Sequence, residues 1–325
     1  MTLDEIAKEL GVSKSTVSRA ISGKGRIGAE TREKILAYAK EQGVVEETPS
    51  ALVRTRNIGV VLPADVYTDG IPYFQDCLLG ICESATLMDY NVLITTGRIN
   101  DISTIQSLVE NGKVDGIILT RSLEDDKAVQ YLTDIHFPTG ITGMSEYEEV
   151  IQVDTDNEAA AEHLTTMLIG HGFRKFALVV EDLSYQVNRS RYDGFCNALM
   201  KNGISSENQA FYTGSLKLEL LDAIISDIMA KKVECIVCGD DVLCTRIMSR
   251  LQAEGYRIPM DIAVASLYNS PSLDCFSPSV TAVNVSARKI GNVIGKQMIF
   301  ALEGKPYEAR TMMDYEILFR KSSNR

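Results

Sequence analysis

A chain of 325 residues with 45% hydrophobic and 24% charged residues has the composition of an ordinary globular protein with room for two or three cores. Its net charge of -11 excludes a general nucleic-acid-coating role, yet residues 1–40 carry eight Lys/Arg against five Asp/Glu, so the cations gather on a small N-terminal piece. No apolar run reaches transmembrane length and no signal-like stretch opens the chain, so the expectation is a cytoplasmic protein with reduced thiols and no membrane partner.

The first helix is announced by Leu3, Ile6, Ala7 and Leu10, spaced i, i+3, i+4, i+7 along one face, with Thr2 and Glu5 as a capping box. Gly11 supplies a sharp turn, and Ser13 can cap a second short helix. In that helix Val17 and Ala20 face inward, and Lys14, Ser15, Ser18 and Arg19 face outward. Two short helices about a tight Gly-containing turn, the second bearing cations and hydroxyls, form the helix-turn-helix pattern. Any two short amphipathic helices share part of this spacing, so the wording of the stretch matters as well. A third helix is expected from about Thr31 to Gln42, packed through Ile35, Leu36 and Ala39 and closed by Gly43. GKGRIG at 23–28 matches a dinucleotide-loop pattern but follows a helix in a cationic segment instead of a strand, so it reads as a loop.

Residues 44–57 form a linker with turn chemistry at Thr48-Pro49 and cations at Arg54 and Arg56. From Ile58 onward, short apolar runs alternate with amphipathic stretches. The runs lie at 58–63, 90–96, 114–120, 138–143, 150–157, 175–180, 210–214, 234–239 and 262–268. Helical patterns fall at 73–88, 101–111, 158–170, 191–201, 217–231, 241–254 and 286–303. Apolar strands alternating with helices predict parallel sheets covered on both faces, here as two units of similar size. Ligands bind beyond the carboxyl ends of such strands, and in this chain between two such units.

Seven cysteines show no disulfide framework. Cys235 and Cys238 lie in a run that reads as a buried strand, where residues three apart point to opposite faces, so a metal role is not expected. His136, His163 and His171 are scattered. With no strand-placed glycine fingerprint, no Ser/His/Asp set and no metal cluster, neither a cofactor nor an enzymatic activity is expected.

GVSKSTVSRAISGKGRI followed by TREKILAYAKEQG closely resembles the DNA-binding headpiece of the LacI/GalR family of transcriptional regulators. The resemblance implies an all-α helix-turn-helix headpiece (1–43), a hinge (44–57) and an α/β core (58–325) of two doubly wound parallel-sheet subdomains, similar to type I periplasmic binding proteins. The first subdomain would hold about 58–157 and 285–312, and the second 158–284 and 313–325. By the same resemblance Lys14, Ser15 and Arg19 read bases, and Thr2, Ser13, Thr16, Ser18 and Thr31 meet phosphates. For Thr2, Ser13 and Thr31 helix capping is an equal alternative. Leu52 matches the leucine that wedges into a minor-groove step, although this chain has Val44-Val45-Glu46-Glu47 where the family usually has Tyr-x-Pro-Asn.

In the core, Pro72-Tyr73-Phe74 resembles the family's N-P-F-F segment, and Arg191-Tyr192-Asp193-Gly194-Phe195 its R-x-x-G-F motif. Asp240-Asp241 resembles its Asn-Asp pair. Tyr73, Phe74, Arg191 and Asp241 are therefore candidate effector contacts, together with Thr120 and Arg121 at a strand end. Tyr268-Asn269 replaces the family's common Asp-Asp, and Tyr268 joins the candidates as a ring that can stack or hydrogen-bond. The implied function is a ligand-responsive repressor, homodimeric on a pseudo-palindromic double-stranded operator, sensing a small carbohydrate. The alternatives are control by a phosphorylated metabolite or a protein co-regulator, or a solute-binding protein with no DNA role.

Overall fold

The computed structural model describes residues 3–22, 28, 31, 34–35, 37–39, 54–64, 72–214 and 218–324. It divides into two compact units, Met1–Thr55 and Arg56–Arg325.

In the first unit, α1 (Leu3–Glu9) and α2 (Lys14–Ser22) are joined through Gly11, whose φ of 64° is the left-handed conformation that a side chain resists. Ile6, Ala7, Val17 and Ala20 are buried together with Ile35 and Ala39 from a helical segment whose described residues are 31, 34–35 and 37–39. Among the described residues, six buried side chains join α1 and α2 to this segment, and α1 and α2 are each too short to be stable alone in water.

The second unit contains two six-stranded sheets. The first runs in the order β11-β5-β4-β3-β1-β2, from β1 (Asn57–Pro63), β2 (Asn91–Gly97), β3 (Gly116–Leu119), β4 (Thr139–Thr142), β5 (Ile151–Thr155) and β11 (Arg310–Met313), and all its pairs are parallel. The second runs β12-β10-β9-β8-β6-β7, from β6 (Phe176–Val179), β7 (Ala210–Tyr212), β8 (Cys235–Cys238), β9 (Ala263–Ser266), β10 (Thr281–Asn284) and β12 (Glu316–Leu318). Only β12 pairs antiparallel, on β10. The central strands are buried along their whole length, as a sheet covered on both faces requires.

Each sheet carries helices on both faces. In the first lobe α3 (Pro72–Leu87) and α11 (Ala287–Leu302) cover one face, and α4 (Ser103–Glu110) and α5 (Lys127–Asp134) cover the other. In the second lobe α6 (Asn157–Gly170) and α7 (Gln186–Lys201) lie opposite α8 (Leu218–Ala230) and α9 (Asp241–Ala253). A short α10 (Pro271–Asp274) follows β9. Cys235 sits in one core cluster of this lobe and Cys238 in the other, so the strand divides the two sulfurs between its faces. Arg56, which lies in the linker on sequence grounds, is fastened to the first lobe. Its guanidinium donates to the Met88 and Asp89 carbonyls and lies over the Tyr90 ring.

The chain crosses between lobes three times, through Asp156, through Val285-Ser286 and through Asp314-Tyr315. Ser286 and Asp156 also cap the helices they lead into. The closest helix contact is α3 against α11, where glycines let backbones touch: a Cβ on Gly291 would land on the Cys77 carbonyl oxygen, and one on Gly80 on the Arg288 carbonyl oxygen. The Arg288–Glu83 ion pair flanks the crossing. A Gly291→Ala variant should therefore be less stable. Overpacking costs about 1–3 kcal/mol and outweighs the roughly 1 kcal/mol that alanine gains in helix propensity. Urea unfolding of the purified protein measures this, and an unchanged or raised midpoint would show that the helices part without cost.

Candidate functional site

The exposed face of α2 is the candidate nucleic-acid surface. Lys14, Ser15 and Ser18 are exposed on it, and Thr16 is half-buried. Ser13, just before the helix, accepts from the Thr16 amide at 3.1 Å, the bond that defines a cap. Its hydroxyl also lies 2.8 Å from that of Ser15 and 2.7 Å from that of Thr16, so three hydroxyls are linked at the helix start. Both roles weighed for Ser13 remain compatible, since capping uses one lone pair and leaves the amide end of the helix open to an anion. Arg19 belongs to α2 by its backbone, and its side chain lies outside the described residues. Thr31 is exposed and helical. Thr2, Leu52 and most of the 23–30 and 40–53 stretches lie outside the described residues.

In the core, the carboxyl ends of both sheets open into one cleft of about 930 Å³, counting its mouth. That size suits a small metabolite. All seven candidates from the sequence line it: Tyr73, Phe74, Thr120 and Arg121 from the first lobe, and Arg191, Asp241 and Tyr268 from the second. Thr142, Asp154, Glu181, Tyr185, Asn188 and Asp240 join them.

Local sequence explains most of these placements. Asp240 caps α9 by accepting from the Leu243 amide at 2.8 Å, which leaves Asp241 in the first turn, 2% exposed. In the Arg191–Phe195 motif, Gly194 brings α7 onto α6, since a Cβ there would strike the Glu158 carbonyl oxygen. Phe195 fills the core, and Arg191, one turn before, reaches the cleft side. Arg191 is 8% exposed and donates to the Gly239 carbonyl at 2.9 Å. Burial lowers its pKa, and Asp240 and Asp154 counteract that shift.

Asp154 is one of the cleft residues that sequence reasoning missed. Burial raises its carboxyl to about 6, although the Thr155 amide at 2.7 Å, Arg191 and the Asn157 amide group all favour the charged form. The available signal was a lone carboxylate at the carboxyl end of an otherwise buried strand. Tyr185 was also missed. It lies between the lobes, accepting from Arg121 Nη1 at 3.0 Å with the guanidinium 5.3 Å from its ring centre. Around it the backbones of the two lobes pair: Leu123 bridges Tyr185, Gln186 N donates to Ser122 O at 3.2 Å, and Glu124 N to Ser184 O at 3.1 Å. Tyr73 meets Tyr268 edge-on at 5.7 Å and Phe74 at 5.3 Å, and burial pushes both tyrosine hydroxyls up, keeping them protonated. Asn269 is occupied structurally, between Asn284 and Arg320.

Among the described residues, four that line the cleft carry a buried polar atom without a hydrogen bond of good geometry: Thr155 Oγ1, Arg191 Nε, Thr142 Oγ1 beside the Tyr73 hydroxyl, and Asp241 Oδ1, whose carboxyl lies beside the Ser270 hydroxyl. Leaving such groups unsatisfied costs free energy, so a polar ligand is the natural complement. Because Asp154 titrates higher in the folded chain than its ordinary 3.8, the folded state holds the extra proton between about pH 4 and 6. Stability is therefore lost as pH rises through that window. An Asp154→Asn variant lacks this dependence. In denaturant titrations the natural protein should gain on the variant by up to about 2–3 kcal/mol as pH falls from 7 to 4. A pH-independent difference would contradict the shift.

The model for bacterial regulatory proteins of the lacI family matches residues 2–44, and that for a periplasmic-binding-protein-like domain matches residues 165–323. The chain is 28% identical to the HTH-type transcriptional regulator MalR of Staphylococcus xylosus, over 94% of this chain and 92% of that protein. Among solved structures it is similar to the transcriptional regulator CelR–cellobiose complex, with TM-score 0.74 and 23% identity over 99% of both chains. It is also similar to the lac repressor dimer bound to operator and the anti-inducer ONPF, with TM-score 0.72 and 19% identity over 99% of both chains. Helix-turn-helix headpiece, double-sheet core and matched relatives agree: this chain belongs to the LacI/GalR family of DNA-binding transcriptional regulators.

Proposed function

We propose that this protein is a repressor that binds a pseudo-palindromic operator as a homodimer and responds to a sugar or sugar derivative held between the lobes of its core. The headpiece (1–43) reads DNA, residues 44–57 link it to the core, and residues 58–325 bind effector and dimerise. The observation that carries the reading is the cleft. Aromatic rings line it beside buried polar atoms with hydrogen-bonding capacity to spare, the complement of a compact molecule rich in hydroxyls. MalR as a relative and the cellobiose of the CelR structure support a carbohydrate, and the lac repressor dimer on its operator supports two-fold DNA reading. A chain acting on DNA works in the cytoplasm.

On DNA, Lys14, Ser15 and Arg19 contact base edges. Ser13, Thr16, Ser18 and Thr31, with Thr2, contact phosphates, and Leu52 enters the minor groove. In the cleft, Arg191 and Asp241 bind ligand oxygens, Tyr73, Phe74 and Tyr268 pack on its ring, and Thr120 and Arg121 border it. Effector binding shifts one lobe against the other and changes operator affinity. Such coupling is typically 1–3 kcal/mol and acts equally in both directions.

The test is a duplex selected from a random pool by the full chain, followed by anisotropy titrations. Arg19→Ala should lower affinity for the selected duplex by about 1–3 kcal/mol while changing binding to a scrambled duplex far less. Equal losses on both would remove Arg19 from base reading. Failure to select any duplex would remove the regulatory reading of the headpiece.

A further inference from the structure

The cleft is lined by more negative than positive side chains, and one carboxylate stands out. Asp154, Glu181, Asp240 and Asp241 share it with two guanidiniums, Arg121 and Arg191. Both guanidiniums lie against groups of the protein itself: Arg121 against Tyr185, and Arg191 on the Gly239 carbonyl with Asp240 and Asp154 balancing its charge. Asp241 is buried and its neighbour Asp240 adds like charge; the Ser270 hydroxyl and the Asp241 and Val242 amides lie against its carboxylate, while its Oδ1 makes no hydrogen bond of good geometry. Burial raises its carboxyl, with the Asp240 charge adding to the shift and the Ser270 hydroxyl and backbone amides opposing it.

An aromatic cluster adjoins this carboxylate. Tyr268 lines the same cleft as Asp241, whose charge helps burial raise the Tyr268 hydroxyl; its ring meets Tyr73 edge-on, and Tyr73 meets Phe74 in turn. Ring faces carry negative electrostatic potential, so aromatic groups beside a buried carboxylate make a seat for an ammonium group. A charge-assisted bond to Asp241 Oδ1 would satisfy an atom otherwise left without a donor. A phosphorylated ligand would meet the opposite arrangement, bringing a dianion among four carboxylates.

We propose that the effector is a polyhydroxylated ring carrying a free protonated amine, an amino sugar or aminocyclitol, whose ammonium donates to Asp241 Oδ1 beside Tyr268. Its hydroxyls then accept from Arg191 Nε and pair with the Thr142 and Thr155 hydroxyls. The inference rests on the reading of the cleft as a carbohydrate effector site and adds the charge of the ligand.

The experiment is calorimetric titration of the full chain with glucose, galactose and mannose, each compared with its 2-amino, N-acetyl-2-amino and 6-phosphate forms. In at least one series the free amine should bind about tenfold or more tighter than the parent sugar, and N-acetylation, which removes the charge, should abolish the gain. Tightest binding by a parent, N-acetyl or phosphate form would overturn the amine while leaving the carbohydrate site standing. Heat from none of the compounds would overturn the carbohydrate reading and the amine with it. Asp241→Asn, close in shape and checked for folding by circular dichroism, should lower the amine-to-parent affinity ratio about tenfold. Tyr268→Leu should lower the same ratio and serves if the first variant does not fold. An unchanged ratio in the folded variants would overturn the assignment of the ammonium to this seat.

Discussion

A buried guanidinium governs the core where its two lobes meet. Arg191 rises from a helix of the second lobe, yet its charge is balanced by Asp154 on a strand of the first as well as by Asp240 on its own. Taking a cation out of water costs several kcal/mol, and acceptors on one side alone do not offset it well. The lobes therefore share an electrostatic balance. Moving them apart separates Asp154 from the guanidinium and admits water to both, so cleft geometry and the protonation of Asp154 form one coupled variable.

The remaining cross-lobe contacts have a different character. Backbone pairing around Leu123 and Tyr185 is directional and short in reach, and the Arg189–Glu124 ion pair beside it is exposed and weak. The Tyr73–Tyr268 contact tolerates sliding, because an edge-to-face ring pair has a broad minimum. One wall of the cleft is thus tied by hydrogen bonds and another is lubricated by rings.

Much of this was readable from residues. The headpiece carried its own pattern, because a helical face of Ile6, Ala7, Val17 and Ala20 has nowhere to go but a small core. The nine apolar runs all became strands, and the central ones are unbroken because a sheet covered on both faces demands it. What escaped notice was the late part of each sheet: the interior strand Thr281–Asn284, buried but only four residues long with polar residues at both ends, and two edge strands. The strand at Arg310–Met313 alternates between exposed and half-buried, and the one at Glu316–Leu318 is three residues long, so neither produces a continuous apolar run. Helix α7 begins at Gln186 instead of Arg191 because its N-cap, Tyr185, makes no side-chain capping bond for sequence to advertise. All seven candidates line one cleft, four of them from family motifs, Thr120 and Arg121 from a strand end and Tyr268 from a departure, but Asp154 and Tyr185 belong to no motif. Their significance comes from what the opposite lobe places beside them, and linear spacing holds no record of that.

The three strands of chain that pass between the lobes contain one, two and two residues. Tethers so short leave little freedom for twisting or translation, so one lobe can move against the other along essentially a single arc. Apart from Val285, the side chains that line the cleft and the residues that form the tethers are separate parts of the chain, so a substitution elsewhere in the lining leaves the joint as it is.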